Sequence, residues 1–388
     1  MSAAPAPGPD GAAGWRGVYL SYGVLSIVLL GDALLYVVLP VHAAAFGVSL
    51  AWVGVLLAAN RVVRIFLYGL VADLAERIGL RALAIAAVLT ACLSTLGYAV
   101  LTGGPALLAA RLTWGLSYAA LVLVGLGYAV ADRSRTGTRV GIGYGIQQGG
   151  PIFALTVGTW LAGMLAPDRV FLLFAGLGLL ALPLAMALPN VPAGAARQGR
   201  RGLPWPGPVD RLFFLSGLAI DGVFTMTITL LLAREVSLAT AVASAGGILA
   251  LRRVADAGAS SLFGSVGDHV GPERMLVAVV AMLCAGLWAV AAGAAFWGSL
   301  AVVAAGGALR SVGPAVVARS TAQGVVRRLA SLQAWRDVGA AVGPLLTGFA
   351  LSWMSIETLY HLTAVGVGVA AAALLLAHRR QSARAPGR

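Results

Sequence analysis

The segment that most constrains the fold is Leu20 to Leu39, LSYGVLSIVLLGDALLYVVL, whose only charged residue is Asp32. An α-helix of this length rises about 30 Å, which is the thickness of the hydrocarbon core of a bilayer. A carboxylate at that depth costs about 3 kcal/mol on insertion scales, so it requires a partner or a function. The segment Phe213 to Leu232 has the same character and carries Asp221 at the matching place. The chain is therefore predicted to span a membrane and to place one acid in each of two corresponding helices.

Long apolar segments continue through the rest of the chain. It has 388 residues, of which 60% are hydrophobic and only 11% are charged. This composition is typical of an all-α polytopic membrane protein. The apolar segments predict twelve transmembrane helices, near residues 17–41, 50–71, 81–101, 105–131, 140–165, 169–189, 211–234, 241–263, 274–297, 299–319, 329–353 and 358–378.

The 27 basic residues are all arginine, and those outside the apolar segments lie mainly in connections on one side of the predicted spans. On the other side, only Arg169 and Arg234 are basic. Because cytoplasmic loops carry the excess of positive charge, we expect both termini to be cytoplasmic, in a multi-pass protein of a bacterial-type inner membrane. This distribution also explains the net charge of +13 without a nucleic-acid partner.

The longest connection, residues 190–210, is rich in Pro, Gly and Arg and is predicted to link two halves. The predicted organisation is a cytoplasmic tail at 1–16, a six-helix half at 17–189, the cytoplasmic linker at 190–210, a second six-helix half at 211–378 and a tail at 379–388. The halves repeat in sequence, because the register that aligns Arg61 with Arg253 also aligns Arg64 with Asp256. Such internal duplication is common in secondary transporters.

Two related segments close predicted spans 2 and 8: ADLAERIGLR at residues 72–81 and GSVGDHVGPER at residues 264–274. Each has a small residue, an acid, a glycine and a following arginine, and in this they resemble the signature loop of the major facilitator superfamily. The first copy has Ala72 for the first glycine and Glu76 for aspartate, and the second has His269 for arginine. The candidate gating residues are Glu76, Arg77, Gly79, Arg81, Gly264, Asp268, Gly271 and Arg274.

Two further segments resemble motifs of the same family, in its exporter-like branch. Arg111 with Gly115 in span 4 is similar to a motif associated with proton coupling. The Gly/Pro-rich span 5, which contains Gly150-Pro151 and Gly158-Thr159, is similar to the antiporter motif.

The resemblance implies two pseudo-symmetric six-helix bundles around a central cavity. It implies that spans 1, 4, 7 and 10 line the cavity and that spans 2, 5, 8 and 11 lie beside it. The signature segments then form a cytoplasmic latch, in which glycines allow close helix approach and Asp268 or Glu76 pairs with an arginine. The alternative is that these acid–arginine pairs only fix the topology.

Charged residues inside the predicted spans are the candidate substrate-binding and coupling groups. Such residues normally face the bundle interior or a wet cavity and pair with one another. Arg252 and Arg253 stand four and three positions before Asp256, a spacing that allows a local pair there. Arg336 and Asp337 are adjacent and are expected to have different partners. The charged candidates are Asp32, Arg61, Arg64, Arg111, Asp221, Arg252, Arg253, Asp256, Arg310, Arg336 and Asp337.

Neutral polar residues accompany the charges. Tyr36 follows Asp32 by one turn and Thr225 follows Asp221 by one turn, while Gln147 and Gln148 in span 5 and Gln333 in span 11 add hydrogen-bonding groups. Arginine recognises carboxylate and phosphate through its planar fork, so an excess of arginine favours an anionic or zwitterionic substrate. Asp32 and Asp221 can titrate, and a carboxylate whose arginine partner leaves can gain or lose a proton, which is a physical basis for proton coupling through these two acids. For each charge the alternative is a structural ion pair between helices.

The function predicted is proton-coupled secondary active transport of a small anionic or zwitterionic, carboxylate-bearing organic molecule by alternating access, with export favoured. The alternatives are a broad-specificity drug efflux antiporter, an uptake symporter of an organic anion, and a non-transporting sensor or intramembrane enzyme. No nucleotide motif, metal-ligand spacing or nucleophile–base set is visible, so neither a cofactor, a metal nor an enzymatic activity is expected. The expected partners are a small-molecule substrate, protons and the lipid bilayer, and the chain is expected to be monomeric.

Overall fold

The computed structural model of the chain describes residues 10–190, 205–227, 238–321 and 323–383. Most of the predicted linker, the end of predicted span 7, and the outer parts of both predicted tails lie outside these ranges. Within the described ranges the chain is helical and contains no β-strand.

The first six helices form one bundle, and their bounds lie within seven residues of the predicted spans. They are α1 Asp10–Val41, α2 Leu50–Ile78, α3 Leu80–Val100, α4 Gly104–Ala129, α5 Thr136–Phe153 with a π-helical segment Ala154–Gly158 and a last part Thr159–Met164, and α6 Pro167–Gly178 followed by Ala181–Met186. Pro151 lies inside α5 immediately before the π-helical segment.

The second bundle repeats this arrangement. Its helices are α7 Pro208–Gly217 with a π-helical continuation Leu218–Phe224, α8 Leu238–Val270, α9 Pro272–Ala291, α10 Ala295–Ser320, α11 Val325–Ala350 and α12 Ile356–Ala383. The described residues therefore form twelve membrane-spanning helices in two six-helix bundles, as predicted.

The signature segments are helix ends rather than loops, which corrects the prediction. Glu76 and Arg77 lie in the last turns of α2, and Asp268 lies in the last turn of α8. The break before the next helix is a single glycine with a positive φ, Gly79 at +81° and Gly271 at +107°. Glycine adopts this conformation without steric cost, so the chain reverses direction within one residue.

Apolar side chains cover the outside of the molecule, as a bilayer requires. Exposed examples are Phe66, Leu93, Leu172 and Leu362. In the described part of the chain, α1, α2, α3, α4, α6, α9, α10 and α12 are long and apolar enough to cross a membrane. Helices α5, α8 and α11 are less apolar, because they carry polar residues at their centres.

The two bundles touch mainly along two helix pairs, α2 with α11 and α5 with α8. In addition, α5 contacts α10 and α4 contacts α11. We call the side of the molecule with Gly79 and Gly271 the latch face. The opposite face has the connections at residues 42–49, 101–103 and 292–294.

Candidate functional site

A cavity of about 490 Å³ lies between the bundles, a size typical of small-molecule sites. Its lining comes from α1, α2, α4, α5, α7, α8, α10 and α11. Spans 2, 5, 8 and 11 therefore line the cavity together with spans 1, 4, 7 and 10, which corrects the prediction that they lie beside it.

Almost all the predicted site residues reach this cavity. Tyr36, Gln147, Thr225 and Gln333 line it with ten of the charged candidates: Asp32, Arg61, Arg64, Asp221, Arg252, Arg253, Asp256, Arg310, Arg336 and Asp337. The remaining candidate, Arg111, lies behind Asp32 and is fully buried. The charged candidates among the described residues therefore face the interior between the helices.

Asp32 on α1 is held by Arg111 from α4. The Nη1–Oδ1 distance is 2.5 Å, and Nε of Arg111 donates to the carbonyl oxygen of Leu56 on α2 at 3.0 Å. Arg111 also reaches the hydroxyls of Tyr36 and Tyr98, each at 3.5 Å. The arginine therefore connects α4 with three other helices of the first bundle, α1, α2 and α3, behind the cavity wall.

Asp221 on α7 binds two arginines from neighbouring helices. Arg252 Nη2 lies 3.1 Å from one carboxylate oxygen and Arg336 Nη2 lies 2.7 Å from the other. Arg252 also donates to the hydroxyl of Thr225 at 2.6 Å. Asp221 lies inside the π-helical segment Leu218–Phe224, an irregularity that is frequent at functional sites.

Asp256 on α8 is the most loosely paired acid of the cavity. Its nearest arginine atoms are Nε of Arg252 at 3.7 Å and Nη2 of Arg310 at 4.0 Å. Its Oδ1 atom is buried and has no hydrogen-bond partner among the described residues. The guanidinium of Arg310 lies over the ring of Tyr144, 4.8 Å from the ring centre.

The predicted local pair on α8 forms with Arg252 and not with Arg253. Arg253 instead donates from Nη1 to Oε1 of Gln148 on α5, at 3.3 Å. Its side chain therefore reaches the other bundle, and of the two local pairs that the spacing allows only the one with Arg252 forms.

Arg64 on α2 pairs with Asp337 on α11 across the interface between the bundles. The Nε–Oδ2 distance is 2.8 Å, and the hydroxyl of Tyr68 donates to the same oxygen at 3.3 Å. The ring of Tyr118 lies 4.5 Å from the Arg64 guanidinium. Arg336 and Asp337 thus have different partners, as predicted.

Arg61, like Arg253, is a cavity arginine with no carboxylate partner among the described residues. Its only hydrogen bond among the described residues is from Nη1 to the carbonyl oxygen of Ala340 on α11, at 3.4 Å. In the part of the chain that the structure describes, neither Arg61 nor Arg253 lies within 4.0 Å of an acid.

The latch face is closed by two contacts between the bundles, of which the first is an ion-pair cluster. Arg327 on α11 lies 3.0 Å from Glu76 and 2.5 Å from Asp73, both on α2. The arginine that pairs with Glu76 thus lies outside the signature segment. The predicted gating residues Arg77, Arg81 and Arg274 are exposed, and the structure shows no ion pair for them with any described residue.

The second latch contact joins α8 to the start of α5. Asp268 accepts hydrogen bonds from the backbone N–H groups of Gly137 at 3.0 Å and Thr138 at 2.7 Å, and from the Thr138 hydroxyl at 2.8 Å. A carboxylate is favourable at a helix N-terminus, where N–H groups lack partners. A Cβ on Gly264 would collide with the backbone of Gly137, so the glycine permits the close approach.

The cavity is shut toward the latch face and open toward the opposite face. Along α1, exposure rises from 5% at Leu29 to 37% at Tyr36, which lies nearer the opposite face. On α2, Tyr68 on the latch side is 2% exposed, whereas Arg61 is only partly buried. All these residues line the cavity.

Several residues of the site were not predicted from the sequence. Tyr68, Tyr118, Tyr144 and Asn60 line the cavity. Tyr68 follows Arg64 by one turn, so helical spacing would have placed it on the same face. The partners of Tyr118 and Tyr144 come from other helices, and no spacing in the sequence indicates them.

Comparison with solved structures finds the same architecture elsewhere. The human organic anion transporter MFSD10 (TETRAN) matches with a TM-score of 0.74 and 16% sequence identity, over 92% of this chain and 98% of that chain. The E. coli fucose:proton symporter FucP matches with a TM-score of 0.69 and 13% identity, over 92% and 96% of the two chains. A structure of FucP in the outward conformation gives a TM-score of 0.70 at 13% identity, over 91% and 96%.

No protein-family model matches the sequence, and no curated protein matches it. The fold and the cavity define the class of protein instead: a polytopic helical membrane protein with two six-helix bundles around a charged cavity. The likenesses cover more than nine-tenths of the chain, and its fold is that of the major facilitator superfamily.

Proposed function

We propose that the protein is a secondary active transporter that moves a small organic anion across a bilayer by alternating access. The observation that carries this proposal is the pair of cavity arginines, Arg61 and Arg253, for which no described acid is a partner. Arginine binds carboxylate and phosphate through parallel N–H donors, whereas a cationic ligand would be repelled by this surplus charge. The cavity charge thus supports an anionic or zwitterionic, carboxylate-bearing substrate over a lipophilic cation.

The arrangement of the bundles supports alternating access. A central cavity that is closed at one face by contacts between bundles, and open at the other, is one of the two states the mechanism requires. The exposed Arg77, Arg81 and Arg274 favour a cytoplasmic latch face, because positive residues accumulate on that side. We infer that both termini are cytoplasmic, in an inner membrane of bacterial type, and that this state is open to the outside.

Proton coupling through a cavity carboxylate is the energy source we propose. Burial in a cavity disfavours the charged carboxylate, while a nearby arginine favours it, so movement of an arginine changes proton affinity. Asp256 fits this role best, because its arginines are distant and one of its oxygens has no described partner.

Export is the direction we favour, on the resemblance of α5 to the antiporter motif. Pro151 lines the cavity, and the π-helical segment Ala154–Gly158 follows it, so this helix is irregular next to the cavity. Uptake by symport with protons is the second candidate, favoured by the structural likeness to a fucose:proton symporter.

A ligand screen on the purified protein in lipid nanodiscs tests the charge of the substrate. Small organic anions, cations and neutral molecules of matched size are compared for their effect on the thermal midpoint. We expect only anions to raise the midpoint, and the double variant Arg61→Gln/Arg253→Gln to lose the effect. Arg169→Gln is the matched control, because Arg169 is exposed at the opposite face away from the cavity. Stabilisation by lipophilic cations alone would favour the drug efflux alternative.

The direction of transport and its coupling to protons can be measured only across an intact membrane. Metabolites are profiled inside and outside cells with and without the protein, and an anion that accumulates inside the deletion strain indicates export. Depletion of that anion inside the deletion strain indicates uptake. Flux of the same anion is then measured in proteoliposomes with and without a pH gradient. Equal flux in the two conditions would contradict proton coupling.

A further inference from the structure

We propose that the substrate carries two separate anionic groups, one bound by Arg61 of the first bundle and the other by Arg253 of the second. This inference rests on the proposed function and specifies its substrate class as a dicarboxylate or a related dianion with two charged groups. It is carried by the pairing of the cavity charges, by the positions of the two arginines, and by the weak contacts that they make.

The other charged side chains of the site are paired with one another. Asp32 holds Arg111, and Asp337 holds Arg64. On the second bundle, Asp221 and Asp256 share three arginines, Arg252, Arg310 and Arg336. Two acids among three arginines leave one positive charge in that cluster, but each of the three guanidinium groups lies within 4.0 Å of a carboxylate. Among the described arginines that line the cavity, only Arg61 and Arg253 have no acid within 4.0 Å, so these two side chains are the most available to an anionic ligand.

Arg61 and Arg253 occupy equivalent positions in the two bundles. Each lies eighteen residues before the positive-φ glycine that ends its helix, Gly79 for α2 and Gly271 for α8. At about 1.5 Å per residue, both stand roughly 27 Å along the helix from the latch face. The two guanidinium-bearing residues therefore lie at the same depth, and both line the one cavity.

Each arginine has only a weak, neutral contact, and that contact is with the other bundle. Arg61 reaches the Ala340 carbonyl at 3.4 Å, and Arg253 reaches the Gln148 side chain at 3.3 Å. These bonds are long, and a neutral acceptor gives a weaker bond than a carboxylate. A guanidinium has five N–H donors, so each arginine retains donors for a ligand.

The lack of a counter-charge on both Arg61 and Arg253 decides between one anionic group and two. A ligand with a single carboxylate compensates one arginine and leaves the other uncompensated inside a cavity that it has just desolvated, which is costly. A ligand with two separate carboxylates compensates both arginines, one in each bundle. It also links the bundles at the level of the cavity, where the described contacts of these two arginines are weakest.

The test compares matched ligands on the unaltered protein in lipid nanodiscs. Succinate, glutarate and adipate are titrated against their monoamides, which have the same length and one charge less. We expect the best dicarboxylate to bind at least about tenfold more tightly than its monoamide, as for one charge-assisted contact. Equal affinity for dicarboxylate and monoamide would overturn the inference.

A phosphate monoester distinguishes a substrate with two separate anionic groups from a substrate with two charges on a single group. Methyl phosphate places its charge on a single phosphate, so we expect it to bind no better than the monoamides. If it matched the best dicarboxylate, the substrate would be a single multiply charged group, and the inference of two separate groups would be wrong.

Variants assign the two groups to the two arginines. We expect Arg61→Gln and Arg253→Gln each to lower dicarboxylate affinity to that of the monoamide, and the double variant to lose binding of both ligands. Arg169→Gln should bind like the unaltered protein. If either single variant kept the full preference for dicarboxylates, its arginine would not hold a second group. The ligand comparison does not depend on the variants, so it remains valid even if a variant fails to fold. If the unaltered protein binds no anion at all, the proposed function itself is overturned.

Discussion

Arg64 in the first bundle and Asp337 in the second form an ion pair of 2.8 Å that crosses between the bundles on the latch side of the cavity. Both side chains are buried, and the hydroxyl of Tyr68 donates to the same carboxylate. Because α2 and α11 cannot separate at the latch face while this pair holds, it stabilises the state with a closed latch. It is also the ion pair between bundles that lies directly in the cavity wall.

Asp337→Asn tests the contribution of this pair. The variant keeps the shape of the side chain but leaves Arg64 buried without a counter-charge, which costs about 3–5 kcal/mol in comparable pairs. We expect a clearly lower thermal midpoint in nanodiscs. The charge reversal Arg64→Asp/Asp337→Arg should recover part of the loss, because the pair is restored. If the double reversal is as unstable as Arg64→Asp and Asp337→Arg combined, a pairwise role is contradicted.

Asp32→Asn and Asp221→Asn are expected to differ, because the arginines they leave behind differ in exposure. Arg111, the partner of Asp32, has a side chain that is 0% exposed, whereas Arg252 and Arg336 beside Asp221 are 10% and 19% exposed to the cavity. An uncompensated charge costs most where water cannot reach it. We therefore predict a larger fall of the thermal midpoint for Asp32→Asn.

The matched double variant for this comparison is Asp32→Asn/Arg111→Gln, which removes both charges. We expect it to be more stable than Asp32→Asn alone, since no buried charge is left. Equal midpoints for Asp32→Asn and Asp221→Asn, with no recovery in the double variant, would show that burial of the partner does not decide the effect.

The helices were predictable because a bilayer allows few backbone conformations. Every backbone polar group there must be satisfied internally, so long apolar segments must be helices. The cost of a charge in hydrocarbon likewise predicted that the intramembrane residues face a cavity. These two arguments need no knowledge of how the helices pack.

Partners across the bundle interface could not be predicted in this way. The spacing on α8 allowed Arg253 to pair with Asp256, yet the side chain reaches Gln148 instead, because α5 packs against α8. Likewise Arg327 lies outside the signature segment, so no motif connected it with Glu76. Local spacing indicates which contacts are geometrically allowed, and tertiary packing selects among them.

Asp256→Asn tests the proposed proton carrier. The asparagine cannot titrate, so we expect transport of the anion in proteoliposomes to lose its dependence on a pH gradient while exchange of substrate for substrate continues. Asp221→Asn is the matched control, because Asp221 is held by arginines at 2.7 and 3.1 Å and is not proposed to carry the proton. Gradient-driven transport that survives in Asp256→Asn and fails in Asp221→Asn would assign the proton to Asp221.

Gly264→Ala tests whether close helix approach holds the latch shut. A Cβ at Gly264 would collide with the backbone of Gly137, whereas on the same helix a Cβ at Gly258 meets no atom within 4 Å. Gly258→Ala is therefore the matched control. We expect Gly264→Ala to push α8 away from α5 and to shift the protein toward the state with an open latch, because backbone atoms cannot yield as a flexible side chain can.

The shift can be measured by the accessibility of a cysteine at the same interface. Ser261 donates to the carbonyl oxygen of Gly141 at 3.1 Å, so Ser261→Cys places a thiol between α8 and α5. The two native cysteines, Cys92 and Cys284, are first replaced by alanine. We expect a membrane-permeant maleimide to label this thiol several-fold faster in Gly264→Ala than in Gly258→Ala. Equal rates in the two variants would mean that the glycine contact is not what keeps the latch closed, and would leave that role to Arg327 and to the ion pair of Arg64 with Asp337.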